Sequence, residues 1–202
     1  MPISKEQVEQ VVAFHGHLCP GLAIGIRAAE AALQAMQNPA QDEELVAVVE
    51  NDNCSVDAIQ FLTGCTFGKG NFIFRDYGKN VYSFYRRVDG KSIRILLKSD
   101  AGKHDQPEVQ PLLVKQQNGD LTAAESSQLD AYRQERIERI LNIPLDDLFE
   151  IQPISGPIPQ KAHLYESLRC AHCGETTMET RTRRIHGEWL CLPCYEAVER
   201  KI

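Results

Sequence analysis

Phe14-His15-Gly16-His17-Leu18-Cys19-Pro20-Gly21 sets two imidazoles and a thiol at alternate positions near the start of the chain. In an extended segment His15, His17 and Cys19 project to one side, where one ion could meet all three. Pro20 suits the first turn of a helix, with a fixed φ and no N–H to leave unpaired. The sulfur of Cys19 would then sit at a helix N-terminus, where free N–H groups and the macrodipole favour a thiolate. A single histidine is usually a core or surface residue. Two histidines and a cysteine between residues 15 and 19 point instead to a metal or thiolate site.

A second cysteine stands in a matching context. Leu45-Val46-Ala47-Val48-Val49 is a continuous apolar run, the mark of a strand buried on both faces. It leads into Glu50-Asn51-Asp52-Asn53-Cys54, whose Asx residues are strong helix caps, and a helix from Cys54 to Thr63 closes at Gly64. Cys54 occupies its first turn, with Asp57 and Ala58 one turn on along the same face. If the strand lies beside the preceding helix, His17, Cys19 and Cys54 converge on one pocket. The two helix dipoles would then lower the thiol pKa values and leave both cysteines prone to alkylation. Cys65, beyond the helix end, reads as core. Gly64 to Asn71 is a glycine-punctuated loop carrying Lys69; its spacing is not that of a phosphate-binding loop. In an enzyme, Cys54 would be nucleophile or ligand, His17 ligand or general base, and Lys69 an anion or oxyanion partner, with Asp57 beside them.

Cys170-x2-Cys173, seventeen residues, and Cys191-x2-Cys194 make the most specific motif of the chain. Each pair is a knuckle offering two thiolates, and two knuckles close a tetrahedral zinc shell. Thr176 to Trp189 reads as a hairpin turning at His186-Gly187, and Tyr195 to Lys201 as a helix. Knuckle, hairpin and ligand-bearing helix follow one another in treble-clef order. A unit this small has little core, so zinc would supply its folding energy. Arg181, Arg183 and Arg184 argue for nucleic-acid binding by this tail; Glu175, Glu179 and Glu188 argue against it.

The composition narrows the remaining choices. The chain has 202 residues, 43% hydrophobic and 25% charged, as in ordinary globular proteins, and seven cysteines. The N-terminal stretch holds Lys5, Glu6 and Glu9, unlike a signal peptide, and no apolar run is long enough to span a bilayer. Cysteine-rich composition without a secretion signal points to a reducing, cytoplasmic compartment and to metal ligands rather than disulfides. Residues 161–202 carry seven basic and six acidic side chains, and residues 1–160 carry 15 and 22, out of a net charge of −6. An acidic body argues against a duplex-wrapping protein, which needs a basic footprint, and leaves that role to the tail alone.

The elements that must position these residues are legible in outline. Ser4 with Gln7 forms a capping box for a helix running to Phe14. A second helix spans Pro20 to Met36, with an apolar stripe and a flat stripe of Gly21, Gly25, Ala28 and Ala32 suited to close approach of another backbone. Strands are expected at Phe72 to Phe74, Asn80 to Val88 and Ser92 to Leu97, with hairpin turns at Asp76 to Lys79 and Asp89-Gly90. Asp100 to Asn118 reads as a loop or irregular arm holding a surface His104. Thr122-Ala123-Ala124-Glu125 opens a helix to Leu141, and a short turn covers Leu145 to Phe149. Three prolines between residues 151 and 159 predict a stiff linker. The expected organisation is thus a body over 1–150, a linker over 151–165 and a zinc-binding tail over 166–202. Because the tail needs something to dock on, it could reach a second copy of the chain, giving a homodimer.

Taken together, F-H-G-H-L-C-P-G-L-A-I-G-I-R, V-E-N-D-N-C-S-V-D-A-I-Q, T-G-C-T-F-G-K-G-N and R-D-Y-G-K resemble the FmdE family over roughly residues 8–100. The family is named after the FmdE component of formylmethanofuran dehydrogenase. The resemblance implies an α+β core of α-β-α-β-β-β order with a mixed sheet, and a C-terminal zinc ribbon of the kind many members carry. It also implies a metal site of His15, His17, Cys19 and Cys54, with Asp57, Cys65 and Lys69 close by. Zinc, nickel or iron suits such ligands. The expected function is that of a cytoplasmic metalloprotein of the FmdE type, with zinc in its tail, accessory to or part of a redox or one-carbon enzyme system and partnered by an oxidoreductase subunit. The alternative is a regulator that binds nucleic acid or polymerase through the ribbon.

Overall fold

The computed structural model describes residues 3–99, 101 and 108–199, so the expected surface position of His104 lies outside the described residues. The chain divides into two compact units, Met1–Lys161 and Ala162–Ile202. The first is an α+β body. Its element order is α1 (Lys5–His15), α2 (Pro20–Met36), β1 (Leu45–Val49), α3 (Ser55–Thr63), β2 (Phe72–Phe74), β3 (Val81–Arg86), β4 (Ser92–Leu97), α4 (Val109–Asn118), α5 (Ala123–Asn142), α6 (Leu145–Leu148) and β5 (Phe149–Pro153).

The sheet has five strands in the order β2-β1-β3-β4-β5. β1 pairs parallel with β2 and antiparallel with β3, so the sheet is mixed and its most apolar strand is central and wholly buried. This arrangement corrects one expectation. The turn at Asp76 to Lys79 does not join hairpin partners, because β1 lies between β2 and β3; the loop crosses the end of β1, with the Lys79 N–H donating to the Glu50 carbonyl at 2.9 Å. The β3–β4 hairpin is as expected, and Gly90 supplies the positive φ of 77° that its turn requires. Two further elements depart from the sequence reading. Val109–Asn118 is a helix rather than an irregular arm, packing Val109 and Leu112 on Leu129 of α5. Phe149–Pro153 is an edge strand on β4, so Pro153, expected to lie in the linker, instead closes a sheet edge, where a missing N–H is tolerated. Beyond β5 the chain is still held. The Arg87 guanidinium donates to the carbonyls of Pro159 (3.1 Å) and Gln160 (2.8 Å).

α2 is the body's central helix. One side packs Ala23, Ile24, Ala28 and Ala32 on the sheet core, and the other packs Leu22, Ile26 and Ala29 with Val11, Ala58 and Leu62. The small-residue stripe meets α3. A Cβ on Gly25 would stand 2.2 Å from the Ser55 carbonyl oxygen and 2.6 Å from its Cα, so the helix backbones touch at the first turn of α3.

The tail is built of two hairpins and a helix. β6 (Ser167–Arg169) pairs with β7 (Thr176–Met178) around the first cysteine pair. β8 (Thr182–Ile185) pairs with β9 (Glu188–Cys191) through a turn in which His186 and Gly187 have φ of 48° and 89°. α7 (Leu192–Glu199) carries Cys194. The expected single hairpin from Thr176 to Trp189 is therefore narrower, since Thr176 to Met178 pairs backwards with β6.

The contact between α2 and α3 yields a stability prediction. Gly25→Ala forces a Cβ into backbone that cannot yield cheaply and should cost about 3 kcal/mol. Gly68→Ala, with nothing within 4 Å of the new Cβ, should stay close to wild type. Urea unfolding midpoints of the two variants check this.

Candidate functional site

The first site forms where α1 ends and α2 begins. α1 stops at His15 because Gly16, at φ 99°, turns the backbone left-handed. The chain then runs through His17 into Cys19, which is extended (φ −132°, ψ 166°) and caps α2; its Sγ accepts the Leu22 N–H at 3.3 Å. One donor atom each from His15, His17 and Cys19 lies within 4.8 Å of the others. The two imidazole rings stand 4.8 Å apart at 36°.

His15 carries the most informative geometry. Its Nδ1 lies 2.7 Å from Asp57 Oδ2 on α3, while its Nε2 is buried and has no hydrogen-bond partner. A neutral imidazole offers one N–H and one lone pair. With Nδ1–H donated to the carboxylate, the lone pair is presented at Nε2, as in a carboxylate–histidine–metal arrangement. The expectation sets Asp57 beside the cysteines; its place is behind His15, orienting the ring.

Cys54 reaches the same region from α3. Both its Sγ and that of Cys19 lie 3.8 Å from the point where a Cβ on Gly21 would stand. The loop before α3 is fixed by a polar network that joins the exposed Asn53 to the buried Asn51, Ser55 and Tyr82. The Asn53 side chain accepts the Ser55 N–H at 2.9 Å and the Ser55 hydroxyl at 2.6 Å, and Ser55 Oγ accepts the Tyr82 hydroxyl at 2.7 Å. Asn51 Nδ2 donates to the Lys79 carbonyl at 2.8 Å. The Asx pattern announces the cap; the deeper support from Tyr82, on β3, has no local signal.

The electrostatics of Cys54 differ from expectation. Its backbone is helical, at φ −51° and ψ −22°, and its side chain makes no capping bond. Burial raises the thiol pKa, and the neighbouring Cys19 sulfur raises it further. Burial at this thiol thus works against the lowering expected from the helix end.

Two other residues are placed plainly. Cys65 is fully buried, its Sγ 3.4 Å from the Leu45 carbonyl, and burial pushes its thiol up to about 11. Lys69 stands past the far end of α3, about 13 Å of helix from the Cys54 end. Its Nζ points to the Gln41 carbonyl at 3.5 Å, and its charge acts on Cys65 rather than on Cys19 or Cys54.

In the tail, one sulfur each from Cys170, Cys173, Cys191 and Cys194 lies within 4.8 Å of the others. Among the described residues, the buried hydrophobic centre of this unit is Cys170, Leu190 and Cys191. Backbone N–H groups from Cys173 and Cys191 hold the Cys170 thiol down at about 6, while hydrogen bonding with Cys191 pushes Cys194 up to about 12. Four sulfurs converging in one place cannot all ionise without a cation to balance them.

The fold and these two donor clusters define an α+β protein with metal-binding groups. The chain belongs to the FmdE family: the family described as "FmdE, Molybdenum formylmethanofuran dehydrogenase operon" matches residues 14–150. A solved crystal structure of a tungsten formylmethanofuran dehydrogenase FmdE-like protein from Syntrophus aciditrophicus is similar at TM-score 0.59 and 25% identity, covering 97% of this chain and 94% of that one. A protein of Archaeoglobus fulgidus named "Probable S-adenosyl-L-methionine-binding protein" is 33% identical over 196 residues, or 90% of this chain and 50% of the relative. The chain thus spans about half the length of that relative. Among the described residues, no helix is long and apolar enough to cross a membrane.

The raised Cys65 pKa sets a pH dependence. A thiol whose folded value exceeds its unfolded one contributes stability below the unfolded value and loses it as pH rises through the folded value. From an ordinary value of 9.0 and a folded value of about 11, wild type should lose stability between those two pH values. Cys65→Ala should lose less over the same interval, as measured by denaturant midpoints.

Proposed function

We propose that this chain is a two-site metalloprotein that serves an oxidoreductase system as an accessory subunit. In this reading His15, His17, Cys19 and Cys54 hold a transition metal in the body, and the four tail cysteines hold a structural zinc in a treble clef. The observation that carries it is the buried, unpartnered Nε2 of His15, poised by Asp57 beside two further donors. A buried acceptor without a partner is costly, and a cation would satisfy it. Imidazole and thiolate donors suit zinc, nickel or iron, and such an ion supplies Lewis acidity or, for iron and nickel, a redox centre. Asp57 holds the His15 tautomer, Gly16 and Cys19 set the ligand spacing, and the Asn51–Asn53–Ser55–Tyr82 network holds Cys54 against the cluster.

The oxidoreductase connection rests on the family and on the FmdE-like protein of similar fold. The tail reading rests on the cysteine cluster, the order of two hairpins and a helix, and a hydrophobic centre too small to fold alone. A reducing, cytoplasmic setting suits seven free thiols, and a homodimer would give the tail a surface to dock on. S-adenosylmethionine, for which the Archaeoglobus relative is named, belongs among the ligands to titrate. Salt-dependent affinity of the tail for DNA or RNA would favour a regulatory role instead.

Protein purified without added metal should contain two ions per chain, one of them zinc. Asp57→Asn should weaken the body's ion by about 10–100-fold in chelator competition while leaving the tail zinc in place. Unchanged affinity would remove His15 from the ligand set. Cys173→Ser should make the segment from Ser167 onward protease-sensitive while the body resists; a tail that stays resistant after chelation would refute the structural-zinc reading.

A further inference from the structure

A cleft of about 350 Å³ opens beside Cys54, between the start of α2, the end of β4 and α5. Its size falls at the lower end of small-molecule sites. Ile24 and Leu97 line its apolar part, Asn53 and Asn80 contribute amides, and Lys98 and Arg136 contribute positive charge. No carboxylate stands among the described lining residues, although the chain as a whole has 28 acidic and 22 basic side chains.

The two cations are in different states. Lys98 Nζ donates to the Asp146 carbonyl. Arg136, on α5, has a buried Nε without a hydrogen-bond partner and makes no ion pair among the described residues. Its neighbours on the same helix show the contrast: Arg133 binds Asp130 at 3.0 Å and Gln116 at 2.7 Å, and Arg139 binds Glu135 at 3.1 Å. The Arg136 Nε is withdrawn from water without an acceptor, which is costly, while the residue as a whole is half-buried and its donor fork stays open to a planar oxyanion. The N-terminus of α2, at the cleft's edge, adds positive potential of the same sense.

We propose that this cleft binds a small organic acid, with its carboxylate or phosphate head on Arg136 and its body along Ile24 and Leu97 towards Cys54. Arg136 is then the residue that selects anionic ligands for the site next to the candidate metal centre. The proposal does not depend on an ion being bound there, so the two stand or fall separately.

Thermal unfolding of the whole chain tests it, with acetate and inorganic phosphate as probes and sodium chloride at matched ionic strength as reference. Wild type should show a saturable rise of about 3 °C or more with at least one probe. A response to acetate assigns carboxylic acids, and a response to phosphate assigns phosphate esters. Arg136→Met should abolish the rise and melt no lower than wild type in chloride, since the Nε it removes is buried without a hydrogen-bond partner. Arg136→Lys should retain a weakened rise, and Arg133→Gln should respond as wild type does. If neither probe stabilises beyond chloride, or if Arg136→Met responds equally, the proposal fails. It fails too if Arg136→Met is markedly destabilised in chloride, because the guanidinium would then be serving the fold.

Discussion

The close approach of α2 and α3 is the constraint on which the body's chemistry depends. Glycine within a helix costs about 1 kcal/mol relative to alanine, and α2 carries it at both Gly21 and Gly25. What the missing side chains permit is contact between Gly25 and the Ser55 backbone, and between Gly21 and Cys54. Two helices that touch near their first turns bring their N-terminal ends together. Cys19 caps one and Cys54 stands at the start of the other, so the sulfurs meet because the helices do. Converging positive helix ends repel each other, and a thiolate or bound anion between them relieves that repulsion.

The donors are held by two kinds of support. His15 is held by a single carboxylate from α3, which sets both its ring orientation and which nitrogen carries the proton. Cys54 is held by a hydrogen-bonded loop that ends on a fully buried tyrosine in the sheet. The first support is local to the donor cluster, while the second ties the cluster to the core strand β3. A shift of the sheet would therefore reach Cys54 before it reached His15.

Much of this is legible in the residues themselves. The helix start at Pro20, the apolar run of β1 and the Asx residues before α3 are short-range signals that lie where the sequence places them, whereas His15 ends α1 rather than opening an extended segment. What escapes are pairings over long sequence distances. Nothing local to Phe72 says that it joins β1 on the far side from β3, and Pro153 mimics the start of a linker because an edge strand tolerates it equally well. The helix at Val109–Asn118 has only a weak apolar stripe, and its packing on Leu129 is a tertiary effect. At the site, the hydrogen bond from His15 to Asp57 spans 42 residues. The Cys54 thiol defies its sequence context because a helix end can be seen in sequence whereas burial cannot. Lys69 is near Cys65 along the chain, yet α3 carries it away from Cys19 and Cys54.

The Arg87 clasp has a consequence for how such chains diversify. It grips Pro159 and Gln160 by their main-chain carbonyls, groups that every amino acid provides. This grip on the exit from the body therefore does not itself read the side chains that pass through it. A joint of that kind tolerates recombination: the segment downstream can be exchanged, extended or lost without redesign of the domain that releases it, and tails could diverge across the family while the scaffold of the histidine–cysteine cluster stays constant.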